Sequence, residues 1–326
     1  MDIKIAIVNS SSLGRIFPEH LNRLKALGEV DRFDFPADMK GKELAEELLG
    51  YSIIITSATP MYDKAFFEYK DKTLLIARHG IGYNNIDVKA AAEKGVCVTR
   101  VPSYVEREAV AESTVALLMD VIRKIRSASI KVKEGEWTER AKFVGYEVKG
   151  KTVGIIGFGN IGSRVGQIIK NGFNARLIAY DLNRSPANIK KGGAEPVSLE
   201  KLLKTADIIS LNASVTAQSY HMLTDKEFSL MKKGVILIDT ARGELINPDS
   251  LIKALDDEII GELAMDAVEG EPIDKDHPLL SYDNVLITPH IGAYTYESLY
   301  GMGEKIVKDA EKIIRGEIPD EVVNAR

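Results

Sequence analysis

Val153-Gly154-Ile155-Ile156-Gly157-Phe158-Gly159-Asn160-Ile161-Gly162 is the stretch that decides the fold: an apolar run delivers the chain into G-x-G-x-x-G, and helical composition follows as far as Gly172. The three glycines answer separate needs. Gly157 serves a tight turn, Gly159 lets backbone approach a pyrophosphate, and Gly162 brings helix against strand. A helix N-terminus at this point offers free N–H groups and partial positive charge to phosphates. The next apolar run, Leu177 to Tyr180, ends at Asp181, about twenty residues beyond the glycines, where a carboxylate can accept from a ribose 2′-OH. A purely structural glycine turn is the competing reading; strand, helix and acid in register weigh against it. Because a carboxylate there repels a 2′-phosphate, the expected cofactor is NAD rather than NADP. Arg184, just beyond, would soften that preference unless it is a solvated surface arginine.

Working outward, short β-branched runs recur along the chain: Ile3 to Val8, Ile53 to Thr56, Leu74 to Ala77, Val96 to Thr99, Ile208 to Leu211, Val235 to Ile238, Leu263 to Ala267 and Val285 to Thr288. Segments of helical composition lie between most of them. Near-continuous apolar strands alternating with helices predict doubly wound parallel sheets, an α/β protein. A longer helix is expected from about Glu106 to Lys133, with Val115, Leu118, Ile122 and Ile125 on one face, either core-facing or at an interface. The sharpest composition breaks near the middle are Pro102-Ser103 and Lys149-Gly150-Lys151. A length of 326 residues suggests two domains.

Hydrophobic residues make up 45% and charged residues 28%, which excludes a long disordered chain. The 48 acidic against 43 basic residues give −5, the wrong sign for a protein that chiefly grips nucleic acid or an anionic membrane. The one cysteine, Cys97, can make neither an intramolecular disulfide nor a cysteine-based metal site, and reads as a buried thiol in a reducing compartment. The start, Met1-Asp2-Ile3-Lys4, lacks the basic region and long apolar core of a secretory leader. With nowhere ~18 apolar residues in a row, the expectation is a cytoplasmic protein with no membrane span.

Three further strand ends carry polar groups that core packing does not ask for: Asp239-Thr240-Ala241-Arg242-Gly243, Asp266-Ala267-Val268-Glu269-Gly270-Glu271-Pro272, and Thr288-Pro289-His290-Ile291-Gly292. In an open parallel sheet ligands sit at the carboxyl ends of strands, so these groups are placed to converge. Arg242 can grip a carboxylate bidentately and polarise the adjacent carbonyl. His290 can protonate a carbonyl oxygen as hydride arrives and take that proton back in reverse. Glu271 would orient the ring and favour its protonated form. Taken singly, each of the three is an ordinary surface or structural residue; joint placement after a dinucleotide fingerprint argues for a site, and no metal is expected in it. Of the other histidines, His20 is expected on a surface helix, His221 and His277 in loops, and His79 beside a glycine loop.

With these residues in hand, nearly the whole chain resembles the D-isomer-specific 2-hydroxyacid dehydrogenase family, through Gly157-Phe158-Gly159-Asn160-Ile161-Gly162, Thr240-Ala241-Arg242-Gly243, Asp266 with Glu271-Pro272, His277-Pro278-Leu279 and Thr288-Pro289-His290-Ile291-Gly292. The resemblance implies catalytic Arg242, Glu271 and His290, with cofactor contacts at Gly157, Gly159, Asn160, Ile161, Gly162, Asp181, Ala213, Ser214, Thr240, Ala241 and Asp266. It implies a flavodoxin-like substrate domain made from both chain ends, 1–102 and 293–326, around a Rossmann NAD-binding domain at 103–292. The loop His79-Gly80-Ile81-Gly82 resembles one whose backbone amides hold the substrate carboxylate, although such a turn also serves as a plain strand-to-helix connection. Tyr104, after Val101-Pro102-Ser103, resembles a pocket residue of the D-lactate dehydrogenase branch. The implied reaction is therefore NADH-dependent reduction of a small 2-oxo acid, foremost pyruvate to D-lactate, by a homodimer. Glyoxylate, hydroxypyruvate or phosphoglycerate chemistry is the enzymatic alternative, and a dinucleotide-sensing scaffold similar to the family's corepressor relatives is the non-enzymatic one. The chain departs from the family where His-x-Pro-x-Thr often stands, reading Asn212-Ala213-Ser214-Val215-Thr216.

Overall fold

The computed structural model describes residues 3–324; Met1, Asp2, Ala325 and Arg326, the outermost residues of the expected terminal segments, lie outside the described residues. The chain forms two compact units, one built from the chain up to Glu106 and from Tyr294 onward, the other Arg107–Ala293.

In the first unit, β1 (Lys4–Val8), β2 (Glu29–Phe33), β3 (Ile53–Thr56), β4 (Leu75–Arg78) and β5 (Cys97–Arg100) make an all-parallel sheet ordered β2-β1-β3-β4-β5. In the second, β6 (Thr152–Ile156), β7 (Arg176–Tyr180), β8 (Glu195–Pro196), β9 (Ile208–Leu211), β10 (Val235–Asp239), β11 (Ile260–Met265) and β12 (Val285–Ile287) run parallel in the order β12-β11-β10-β9-β6-β7-β8. The first order is that of flavodoxin-like sheets, and the second is a Rossmann sheet with one added strand and its switch point between β6 and β9. Both are doubly wound α/β, because strands such as Ile53-Ile54-Ile55 and Val235-Ile236-Leu237-Ile238 are buried throughout and need helices over both faces.

Register then sets up the second unit's functional end. Ile156 pairs with both Tyr180 and Leu211, Leu211 with Asp239, Asp239 with Met265, and Met265 with Ile287. Loops beginning at Gly157, Asp181, Asn212, Thr240, Asp266 and Thr288 therefore leave the sheet level with one another.

Two strands escape a search for apolar runs. β2 reads Glu-Val-Asp-Arg-Phe and β8 is Glu-Pro, and both are partly exposed sheet edges, where charge and proline discourage further pairing. The expected Glu106–Lys133 helix is in fact two, Ser103–Arg123 and Ile125–Lys133, broken at Lys124 with φ +53°. The break accompanies an ion pair: Lys124 Nζ lies 3.0 Å from Glu262, a carboxylate otherwise buried in β11. Leu118 and Ile122 are buried as expected, whereas Ile125, past the break, is 54% exposed. His20 is likewise not on a surface: it lies on the helix Pro18–Leu27 but is buried among Phe17, Tyr300 and Glu304. Cys97 is half-buried, and burial pushes its thiol up to about 11. Among the described residues no helix is long and apolar enough to cross a membrane.

Candidate active site

Gly157 adopts φ +89°, and a Cβ there would lie 2.5 Å from the Ala213 amide nitrogen, so turn and close approach both demand glycine. At Gly162 a Cβ would collide with the Gly157 carbonyl oxygen. Gly159 differs: a Cβ there would meet nothing within 4 Å. It is also the N-cap of the helix Asn160–Phe173, with no side chain capping the first turn. The protein leaves open the space that a side chain would fill at a helix N-terminus, as a pyrophosphate requires. The buried Oδ1 of Asn212, whose Cβ lies 3.1 Å from the Gly162 Cβ position, also has no partner among the described residues. These features fit a dinucleotide.

Asp181 follows β7, but its carboxylate is already engaged. Oδ2 accepts from the Phe158 amide at 2.7 Å, and Oδ1 from Asn183 and Arg184 at 2.8 and 2.9 Å. A carboxylate offers roughly four acceptor positions, so one remains for a ribose hydroxyl. Arg184 is exposed. At the end of β10, the Thr240 hydroxyl is spent on Thr114, 2.7 Å away in the helix Ser103–Arg123, and the Ser214 carbonyl accepts from Ser219 at 2.7 Å.

Asp266 is buried, and its carboxylate accepts from the Thr288 hydroxyl at 2.6 Å, the Ile291 amide at 2.9 Å and the Gly292 amide at 2.6 Å. Three bonds from one side chain pin both sides of His290, which itself sits at φ +54°. His290 Nδ1 is hydrogen-bonded to Glu271 Oε1, and Glu271 Oε2 accepts from the Val268 amide at 3.2 Å. Burial alone pushes the Glu271 carboxyl up. The His290 hydrogen bond and charge, the Val268 amide and the Arg242 charge outweigh it and hold the group below the usual glutamate value. With Nδ1 taken, Nε2 is the imidazole nitrogen left for exchange; it makes no hydrogen bond among the described residues. Arg242 spends Nη1 on the Ala241 carbonyl at 2.6 Å, which orients the guanidinium.

Sequence reasoning did not single out Asp239. It is fully buried at the end of β10, accepts from the Ala241 amide at 2.8 Å and leaves Oδ2 without a partner among the described residues. Burial pushes its carboxyl up to about 8 against the pull of the Ala241 and Arg242 amides and the Arg242 charge. Asn212 was visible only as a departure from the family pattern.

The first unit holds the other expected residues. The His79 and Gly80 amides are spent on Thr56 and Arg78 carbonyls at 2.9 Å each, while those of Ile81 and Gly82 donate to nothing among the described residues. His79 is buried, and burial pushes it down to about 3. Tyr104, in the first turn of its helix, is 68% exposed.

This geometry is that of a nicotinamide-dependent oxidoreductase. Residues 115–292 match the family model described as "D-isomer specific 2-hydroxyacid dehydrogenase, NAD binding domain". The chain is 37% identical over 317 residues to a glyoxylate reductase of Thermococcus litoralis, covering 95% of each. It is 36% identical over 308 residues to the D-3-phosphoglycerate dehydrogenase of Methanocaldococcus jannaschii, covering 94% of this chain but 58% of that protein. Among solved structures, Aquifex aeolicus D-lactate dehydrogenase complexed with NAD and lactic acid superposes with a TM-score of 0.85 at 27% identity, covering 99% of both chains. The chain belongs to the D-isomer-specific 2-hydroxyacid dehydrogenase family and is an NAD-dependent enzyme of that family.

Proposed function

We propose that this dehydrogenase reduces a small, unphosphorylated 2-oxo acid, glyoxylate or pyruvate. The observation that carries the chemistry is the Glu271–His290 pair, held in a row of strand-end loops that also bears Arg242. NAD(H), when bound, supplies or accepts the hydride. His290 Nε2 gives its proton to the carbonyl oxygen during reduction and recovers it in the reverse direction. Glu271 fixes the ring through its bond to Nδ1. Arg242, its fork steadied on the Ala241 carbonyl, takes the carboxylate. In the first unit, the free amides of Ile81 and Gly82 suit a carboxylate, the role expected of their loop, and exposed Tyr104 suits a side-chain contact.

The small-acid reading is supported by similarity to a glyoxylate reductase over 95% of each chain. A panel of glyoxylate, pyruvate, hydroxypyruvate and 3-phosphohydroxypyruvate, followed by NADH oxidation, tests it: the highest kcat/KM is expected on one of the first two. A preference for the phosphorylated acid would overturn it. We also assign the enzyme to the cytoplasm and to a homodimer. The helix Ile125–Lys133 buries none of its residues, and Ile125, Ile130, Val132, Trp137, Val144 and Tyr146 form an exposed apolar stretch that suits a second copy. Sedimentation should give the mass of two chains.

A further inference from the structure

The Glu271 turn has a second face. Residues Val268 to Glu271 form a tight turn in which the Glu271 amide donates to the Val268 carbonyl at 3.2 Å and Gly270 takes φ +81°. Glu271 points from this turn to His290. Two residues earlier, Glu269 reaches a different histidine: its Oε2 lies 2.7 Å from His221 Nε2, and its Oε1 accepts from the Tyr220 hydroxyl at 3.1 Å. The Tyr220 ring stacks on the His221 ring, 3.9 Å between centroids and 19° between planes, and Asn247 Nδ2 approaches His221 Nδ1 at 3.4 Å. His221 adopts φ +48°, the left-handed region that His290 also occupies. One turn thus carries two glutamates, each paired with a histidine in unusual backbone geometry.

The same residues join the Arg242 loop. The His221 amide donates to the Glu244 carbonyl at 2.8 Å, and a Cβ at Gly243 would collide with the backbone of Val268 and Glu269. A glycine-containing turn has wide conformational freedom when nothing holds it. Here Glu269 is its outer tether. The charged and titratable groups facing that tether are Tyr220 and His221, with Glu244 beside Tyr220, and Asp274, Lys275, Asp276 and His277 across the pocket that Glu269 lines; those facing Glu271 are His290 and Arg242.

We propose that Tyr220, His221 and Glu269 are positioning residues that clamp the Glu271 turn, keeping its carboxylate on His290 and its backbone against the residue after Arg242. The inference rests on reading Glu271 and His290 as the acid–base pair. A merely stabilising ion pair at this exposure, with 23% of the His221 and 26% of the Glu269 side chain accessible, contributes little to melting temperature. A displacement of a catalytic group by about 1 Å, by contrast, can cost up to ~10²-fold in rate.

Three variants decide it: Glu269→Ala, the near-isosteric Glu269→Gln, and Glu271→Gln as reference. Each is measured for reductive kcat and KM with glyoxylate or pyruvate, for the pH profile of kcat/KM at saturating NADH, and for NADH affinity by direct fluorescence titration. Glu269→Ala should lower kcat roughly tenfold, within the loss such a displacement allows. It should shift the alkaline limb in the same direction as Glu271→Gln, without changing NADH affinity. Glu269→Gln, which keeps the Tyr220 bond, should recover most of both effects. An unmoved limb and kcat in Glu269→Ala, with a moved limb in Glu271→Gln, would overturn the clamp and leave the acid–base reading standing. If the limb stays put in Glu271→Gln as well, the acid–base reading fails and the clamp with it.

Discussion

In the seven-stranded sheet, acidic side chains at the strand ends accept from amides of their own loop or of a neighbouring strand's loop. Asp181 takes the amides of Phe158, Asn183 and Arg184, Asp239 that of Ala241, and Asp266 those of Ile291 and Gly292. In the five-stranded sheet the loop after β4 is held differently, by backbone bonds from His79 and Gly80 and by Arg78 on the His79 carbonyl, and it leaves the Ile81 and Gly82 amides free. Both units are parallel and doubly wound, so the sheets do not account for the contrast. Proton transfer needs side chains fixed to within fractions of an ångström, and buried carboxylates with several amide partners fix them. Capture of an anion needs only open N–H groups, which a turn supplies from its backbone.

The most forceful way to break this contrast is at His290. If the chemistry resides in the second unit, His290→Gln should lower reductive kcat by about 10²–10⁴-fold while circular dichroism reports an intact fold. A loss below tenfold would take proton transfer away from the pinned loops. A smaller effect concerns Asp181. NADH should exceed NADPH in kcat/KM by about tenfold or more, and Asp181→Ser should narrow the ratio, since removing the carboxylate removes repulsion of a 2′-phosphate. Equal efficiencies in the wild-type enzyme would mean that the backbone amides have neutralised the residue as a selector.

The smallest effect sharpens the contrast through stability. Asp239, raised to about 8 by burial, stays protonated in the fold while its unfolded form ionises near 3.8, so stability falls as pH rises between those values. His79, lowered to about 3 by burial, stays neutral in the fold while its unfolded form charges below 6.5, so stability falls as pH drops through that window. Asp239→Asn should therefore flatten the fall in thermal stability as pH rises from 3.8 to about 8, and His79→Asn the fall as pH drops from 6.5 to about 3, each by at most about 1.4 kcal/mol per pH unit. Slopes that respond to the opposite residue would show that the two units do not carry separate buried titrations.

The interior strands were legible because strands covered on both faces must be apolar throughout. The edges β2 and β8 were not, because half-exposed strands need no such pattern. The break at Lys124 answers to Glu262, far away in sequence, and the burial of His20 to Tyr300 and Glu304, so neither could be read from local periodicity. Arg242, Glu271 and His290 stood out as charged or titratable groups directly after apolar strands. Asp239 stood in an equally prominent place but showed its weight only through the extent of its burial. The Tyr220–His221–Glu269 cluster joins two loops that sequence keeps apart.

Gly157 and Gly162 are glycines because other atoms of the protein stand where a side chain would go, whereas at Gly159 nothing does. Alteration of the first two announces itself as misfolding, which cellular quality control removes. If the coenzyme occupies the open space, alteration of Gly159 meets no obstacle until it arrives, and the damaged chain would accumulate to normal abundance and pass any selection for solubility. Only selection for turnover would then keep this position empty, and a library sorted for thermostability alone would fill it.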